Sequence, residues 1–106
     1  MLIITWKSVN KKDINHTTII KHFYEIDFMR NYLVDPADTG ENNGIPVLVS
    51  KRLMKFFYDY LINSESEFYE DNGKLGNDYY IMEEFSSEML NYFDWDNYDL
   101  FITCTW

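Results

Sequence analysis

Both ends of the chain alternate between apolar and more polar residues with a period of two. The apolar positions of this pattern are Leu2, Ile4 and Trp6 at the start and Leu100, Ile102, Cys104 and Trp106 at the end. Successive side chains of a β-strand point to opposite faces, so each segment predicts a strand with one apolar face. Because chain ends in regular structure are normally held in a sheet, we expect both strands in the same sheet, where they could pair side by side.

The middle of the first half adds a third strand and a loop. Residues 17–28 are rich in β-branched and aromatic residues, which favours a strand over a helix. Residues 35–44 contain a proline and two glycines among acids and asparagines, and this composition predicts a loop. Residues 45–49 are expected to form a brief extended piece, which would bring the sheet to three or four strands.

Two later segments repeat apolar residues with helical spacing. The predicted apolar faces are Leu53, Phe56, Phe57, Tyr60 and Leu61 in the first segment and Met82, Phe85, Met89, Leu90 and Phe93 in the second. Offsets of three and four place such residues on one side of an α-helix. The order of elements predicts a single small α+β domain over residues 1–106. In it, two amphipathic helices would pack on one face of a mostly antiparallel sheet that contains both terminal strands.

Charge is distributed unevenly along the sequence. Residues 1–53 carry a net charge of +1, whereas residues 54–106 carry two basic and twelve acidic side chains, a net of −10. An acidic excess acts against DNA or RNA as a ligand, because binding to a phosphate backbone relies on clustered Lys and Arg. It favours a basic protein as the partner. The alternative is that the acidity serves solubility.

Acidic and aromatic residues interleave three times in the second half, at residues 64–71, 77–84 and 91–99. Glu84 and Glu88 lie one helical turn apart, where like charges oppose helix formation, so a role other than folding is indicated. Exposed carboxylates can imitate phosphates, and neighbouring aromatic rings can supply contact area. The candidate partner-binding residues are Glu65, Glu67, Glu70, Asp71, Asp78, Glu83, Glu84, Glu88, Asp94, Trp95, Asp96 and Asp99. The alternative is a solvated helix face with its aromatic residues in the core.

No catalytic, metal or cofactor motif stands out, and we expect no cofactor. Cys104 lies on the apolar side of the last predicted strand, where a buried and unreactive thiol is usual. One enzymatic alternative remains: an enzyme or ligand-binding domain that uses His22 with Glu25 or a loop acid. A single cysteine excludes an internal disulfide, and no stretch approaches the ~20 apolar residues of a membrane span. We therefore expect a cytoplasmic protein without membrane association.

In size, acidity and lack of catalytic groups, the chain resembles the small inhibitors that phages and mobile elements make against host defence nucleases, including DNA mimics and anti-CRISPR proteins. This likeness is one of composition. It implies a non-enzymatic, stoichiometric inhibitor that binds a basic, nucleic-acid-binding surface of a host protein through its acidic C-terminal half. The alternative is an immunity or antitoxin protein that neutralises a basic toxin. Neither class would bind nucleic acid directly.

Overall fold

A computed structural model describes residues 1–70 and 72–106 of the chain. Within these residues the elements are β1 (Ile3–Asn10), β2 (Thr17–Tyr24), α1 (Asp27–Leu33), β3 (Val47–Val49), α2 (Lys51–Asn63), a 3-10 helix (Glu65–Phe68), α3 (Asn77–Tyr92) and β4 (Tyr98–Thr105). The predicted α+β class, with strands near both ends, is confirmed. The chain divides into two compact units, which we call the sheet unit (residues 1–50 and 94–106) and the helical unit (residues 51–93).

The sheet unit is built around the two terminal strands. The strand order is β2-β1-β4-β3 and every neighbouring pair is antiparallel. Trp6 of β1 lies opposite Ile102 of β4, and Ile4 lies opposite Cys104. All four side chains are fully buried, as the period-two pattern predicts. The prediction that the terminal strands share a sheet is confirmed, and they are direct neighbours at its centre.

The third strand ends earlier than the sequence pattern suggests. β2 stops at Tyr24, and residues that were expected to extend it form the helix α1 instead. The change of direction occurs at Glu25, whose φ is 59°. The Glu25 carboxylate accepts a hydrogen bond of 2.8 Å from the backbone N–H of Leu2, and this contact holds the turn against β1. A strand prediction over residues 17–28 was therefore wrong beyond Tyr24.

A buried ion pair fixes the loop that follows α1. Asp35 is only 3% exposed and accepts hydrogen bonds from the backbone N–H groups of Thr39 and Gly40, each at 3.0 Å. Arg30 donates to the same carboxylate at 3.2 Å, while its guanidinium lies 4.6 Å from the ring centroid of Trp106. Burial alone would raise the pKa of Asp35, but these hydrogen bonds and the Arg30 charge hold that pKa below its usual value.

The helical unit contains the two helices that the sequence predicts, with a different buried face in the first. In α2 the buried residues are Met54, Phe57 and Leu61, and α2 packs against α3. Phe56 is 51% exposed, so its predicted place in the apolar face was wrong. Met54, Phe57 and Leu61 are separated by three and four residues, so they lie on one side of the helix, and this is the side that is buried. None of the described helices is long and apolar enough to cross a membrane.

Candidate functional site

The exposed side of α3 carries a row of acidic and aromatic residues. Tyr80, Glu84, Glu88 and Tyr92 follow one another at intervals of four, and all four are exposed. Tyr80 is 53% exposed and Tyr92 is 84% exposed, which is unusual for large aromatic rings. At a rise of 1.5 Å per residue, the two glutamates lie about 6 Å apart along the axis and the row is about 18 Å long. We call these four residues the α3 row.

The position of the α3 row follows from which side of α3 is buried. Tyr79, Met82, Phe85 and Ser86 are the buried positions of α3, and they occupy one side of the helix. Ser86 is accommodated there because its hydroxyl donates to the backbone carbonyl of Met82 at 2.7 Å. Residues at the opposite side, including Glu84 and Glu88, then face solvent. In the described part of the chain, neither of these two carboxylates forms an ion pair.

Two of the four cations of the helical unit contact residues of α2. Lys55 forms an ion pair of 2.5 Å with Asp59 one turn along α2. The Arg52 guanidinium lies 5.4 Å from the ring centroid of Phe56, also on α2. Since the helical unit as a whole carries four basic and nine acidic residues, its net charge is −5. The carboxylates of the α3 row therefore belong to a unit whose net charge is negative.

Further candidate acids belong to the helical unit, outside the α3 row. Two of them, Glu65 and Glu83, act on the hydroxyl of Tyr79: burial raises the pKa of Tyr79 first, and these carboxylates raise it further. Glu67 accepts a hydrogen bond of 2.8 Å from the hydroxyl of Tyr60. Glu70 and Asp78 are exposed. Asp71 lies outside the described residues.

The remaining four candidates lie in the sheet unit and have a different environment. Asp94 accepts two hydrogen bonds from Asn97, one from the side-chain amide at 2.9 Å and one from the backbone N–H at 3.3 Å. It thereby closes the turn that leads into β4. Trp95 is half-buried, and Asp99 lies opposite Val9 in the sheet. Asp96 is exposed.

Two of these acids share a cleft with lysines. Asp94 and Asp96 line an open cleft of about 350 Å³, and the remaining lining residues are Asn10, Lys11, Lys12, Asn97 and Tyr98. The backbone N–H of Lys11 donates to the carbonyl of Asn97 at 2.9 Å, which places the end of β1 beside the start of β4. Strand pairing thus brings Lys11 and Lys12 to the same cleft as acids that are distant from them in sequence. The predicted site is therefore divided between two units.

The residues of the alternative hypothesis, an enzyme that uses His22 with Glu25, have structural partners. His22 Nδ1 and Thr5 Oγ1 are 3.1 Å apart across β2 and β1. Glu25 is bonded to the backbone of Leu2, as described above. Burial raises the pKa of the Cys104 thiol to about 11, and the nearby Arg30 charge offsets this only in part. Such a thiol is a poor nucleophile at neutral pH. Among the described residues, no three potential ligands cluster to hold a metal.

Tyr80 and Tyr92 were absent from the candidate residues that the sequence suggested. A signal for them existed, since both lie four residues from a glutamate of the row on the same helix. Comparisons with protein-family models, with curated proteins and with solved structures found no match for this chain.

Proposed function

We propose that this protein is a stoichiometric, non-enzymatic inhibitor that binds a basic, nucleic-acid-binding surface of another protein. The observation that carries the proposal is the α3 row, in which two exposed glutamates lie between two exposed tyrosines. The row replaces the broader set of acidic candidates as the central contact. Asp94 and Asp96 are less suited to that role, because Lys11 and Lys12 share their cleft.

The chemistry of the α3 row matches a surface rich in arginine and lysine. A guanidinium can form two parallel hydrogen bonds with a carboxylate, and it can also stack on an aromatic ring. Tyr80 and Tyr92 supply apolar contact area with a polar tip at each end of the row, which is the kind of residue that dominates binding energy at interfaces. The net charge of −9 would accelerate the encounter with a basic partner.

The host target in this proposal is a nuclease or another nucleic-acid-binding protein, in keeping with the compositional likeness to inhibitors made by phages and mobile elements. By occupying a groove that normally holds phosphates, the inhibitor would compete with DNA or RNA. Its association should be fast at low salt and should weaken as salt rises, because exposed charges are screened over about 8 Å at physiological ionic strength.

The test begins with capture of binding proteins from a bacterial lysate on the immobilised chain, followed by purification of the captured protein. Displacement of a labelled DNA or RNA oligonucleotide from that protein is then measured by fluorescence anisotropy. We expect full displacement near one equivalent of inhibitor. The double reversal Glu84→Lys with Glu88→Lys should lower the affinity by tenfold or more, because it places two like charges against the basic groove.

The reversal Asp94→Lys with Asp96→Lys is the matched control, since it changes the net charge by the same amount at acids that already share a cleft with lysines. It should have a clearly smaller effect than the reversal on α3. Equal losses from the two double variants, or binding that ignores salt, would mean that the acidity acts only through net charge or solubility.

A further inference from the structure

The sheet unit has a second face, opposite the buried positions of β1 and β4. Strand register places Leu48, Phe101, Lys7 and Ile19 in one row across the sheet. The other rows of this face are Thr103, Thr5 and His22; Thr105, Ile3 and Tyr24; and Asp99, Val9 and Thr17. We call these thirteen residues the outer face. The hydrogen-bond distance between Thr5 and His22 agrees with their place side by side on it.

The outer face is more apolar than a solvated sheet face needs to be. Leu48 is 53% exposed, Ile19 is 54% exposed and Tyr24 is 58% exposed. Ile3, Val9 and Phe101 are partly exposed on the same face. An antiparallel sheet with one face in water normally alternates apolar residues inside with polar residues outside. A polar row of Thr103, Thr5 and His22 separates two rows with these apolar side chains, and exposed apolar side chains on both sides of it mark an interaction surface.

Two opposite charges lie next to each other on this face. Lys7 is opposite Phe101, and Asp99 is two residues before Phe101, so Lys7 and Asp99 are diagonal neighbours across β1 and β4. Their separation is about 7–8 Å for such positions. Neither side chain forms an ion pair with any residue of the ranges 1–70 and 72–106. A face with exposed apolar side chains and with one positive and one negative group side by side is complementary to itself.

We propose that the outer face binds the outer face of a second copy of this chain around a two-fold axis. An axis that runs between Lys7 and Asp99 places Lys7 of one copy opposite Asp99 of the second copy, and symmetry repeats the contact. The apolar side chains of both sheets then interdigitate, with the sheets about 10 Å apart. This proposal concerns a different surface from the α3 row and does not depend on the proposed function.

The size of the outer face sets the expected strength of the dimer. Its outermost strands are about 14 Å apart, since neighbouring strands lie roughly 4.8 Å from one another. The outer positions of β1 run from Ile3 to Val9, a length of about 20 Å at roughly 3.4 Å per residue. The face therefore covers on the order of 300 Å², which is small beside the ~800 Å² that each partner buries in a stable complex. The dimer should therefore be reversible, with dissociation visible at micromolar protein concentrations, and it is measured by sedimentation equilibrium of the full chain at about 0.15 M salt.

Charge variants test the paired contact. Lys7→Asp and Asp99→Lys should each weaken dimerisation by about tenfold or more, because each places two like charges together at both symmetric contacts. The double variant that exchanges the two residues should restore the wild-type dissociation constant. Net charge alone predicts another result: Lys7→Asp makes the chain more negative and would weaken the dimer, whereas Asp99→Lys makes it less negative and would strengthen it.

Leu48→Glu with Phe56→Glu as its control tests the apolar part. The two side chains are exposed to nearly the same degree, 53% and 51%, but only Leu48 belongs to the outer face. Leu48→Glu should abolish the dimer and Phe56→Glu should leave it intact, with thermal unfolding midpoints recorded for all variants to confirm that they fold. The proposal is overturned by a wild-type chain that stays monomeric into the millimolar range, or by a dimer that survives Leu48→Glu or is not restored by the charge exchange.

Discussion

A pair of carboxylates in the sheet unit and a pair in the helical unit differ in what surrounds them. In the sheet unit, Asp35 is buried and bonded to Arg30, and Asp94 closes a turn by accepting hydrogen bonds from Asn97. In the helical unit, Glu84 and Glu88 stand exposed one turn apart on α3. The first pair of acids helps to hold the chain in its fold, whereas the second pair opposes the helix that carries it.

This contrast distinguishes structural acids from acids that are available to a partner. Net charge does not make the same distinction. The sheet unit carries −4 and the helical unit −5, so the two are nearly equal in charge. What differs between the two pairs is whether the carboxylates already have hydrogen-bond donors or a cation beside them. Removing the charge of Asp35 should therefore destabilise the protein, whereas removing the charge of Glu88 should stabilise it.

The largest effect is expected from deletion of residues 102–106, which breaks the sheet unit on which its structural acids depend. The deletion removes Ile102 and Cys104 from the centre of the sheet, where they face Trp6 and Ile4, and it removes the ring that Arg30 contacts. The loss of these residues from a central strand should cost at least as much free energy as the roughly 5–15 kcal/mol by which a typical small domain is stable. We expect no cooperative transition in thermal unfolding followed by circular dichroism.

Trp106→Ala is the control for that deletion, because Trp106 is 37% exposed and follows the last residue of β4. It should lower the unfolding midpoint without abolishing the transition. A deleted chain that unfolds at the wild-type midpoint would contradict the central position of β4.

A smaller effect is expected from Asp35→Asn, which removes the charge of a buried carboxylate in the sheet unit. The pKa of Asp35 is lowered in the folded protein, so its ionised form stabilises the fold at neutral pH, and that contribution disappears as pH falls through the lowered pKa. Asp35→Asn should be less stable than wild type to urea at pH 7. The difference between the two proteins should shrink below about pH 4, where the carboxyl of the unfolded chain is protonated.

Asp38→Asn serves as its control. Asp38 lies 3.7 Å from the same Arg30, but its side chain is 84% exposed, so the exchange should leave the unfolding midpoint unchanged. If Asp35→Asn were as stable as wild type at pH 7, the hydrogen bonds from Thr39 and Gly40 would not depend on the charge of the carboxylate.

Local patterns in the sequence predicted much of the fold. The terminal strands and both long helices could be identified because alternation and helical spacing act over a few residues. The end of β2 could not, because it depends on the turn at Glu25 and on a bond from that side chain to Leu2, 23 residues away. Phe56 and Met54 were exchanged in the predicted core of α2, since both are apolar and only packing decides between them.

The candidate site, like the fold, could be predicted where it depends on local spacing and could not be predicted where it depends on contacts between distant residues. Glu84 and Glu88 follow from helical spacing alone, and the structure leaves them exposed. The place of Asp94 and Asp96 in one cleft with Lys11 and Lys12 could not be predicted, because these lysines reach that cleft only through the pairing of β1 with β4.

The smallest effect, and the one with the opposite sign, is expected from Glu88→Lys in the helical unit. The substitution removes the repulsion between Glu84 and Glu88, and it places a lysine four residues after a glutamate, which is the favourable order. It also puts a positive charge in the C-terminal half of α3, where the helix dipole favours cations. Together these terms should raise the free energy of unfolding by about 0.5 kcal/mol, measured by urea denaturation at low salt.

Glu88→Gln separates the two parts of that gain, because it removes the repulsion without adding a cation. It should stabilise the protein by about half as much as Glu88→Lys, and both gains should diminish as salt rises. A loss of stability in either variant would mean that Glu88 already has a favourable partner in the folded chain. A gain in stability combined with weaker binding to a basic target would instead show that α3 keeps this carboxylate at a cost to its own helix, which is the behaviour expected of a binding residue and not of a structural one.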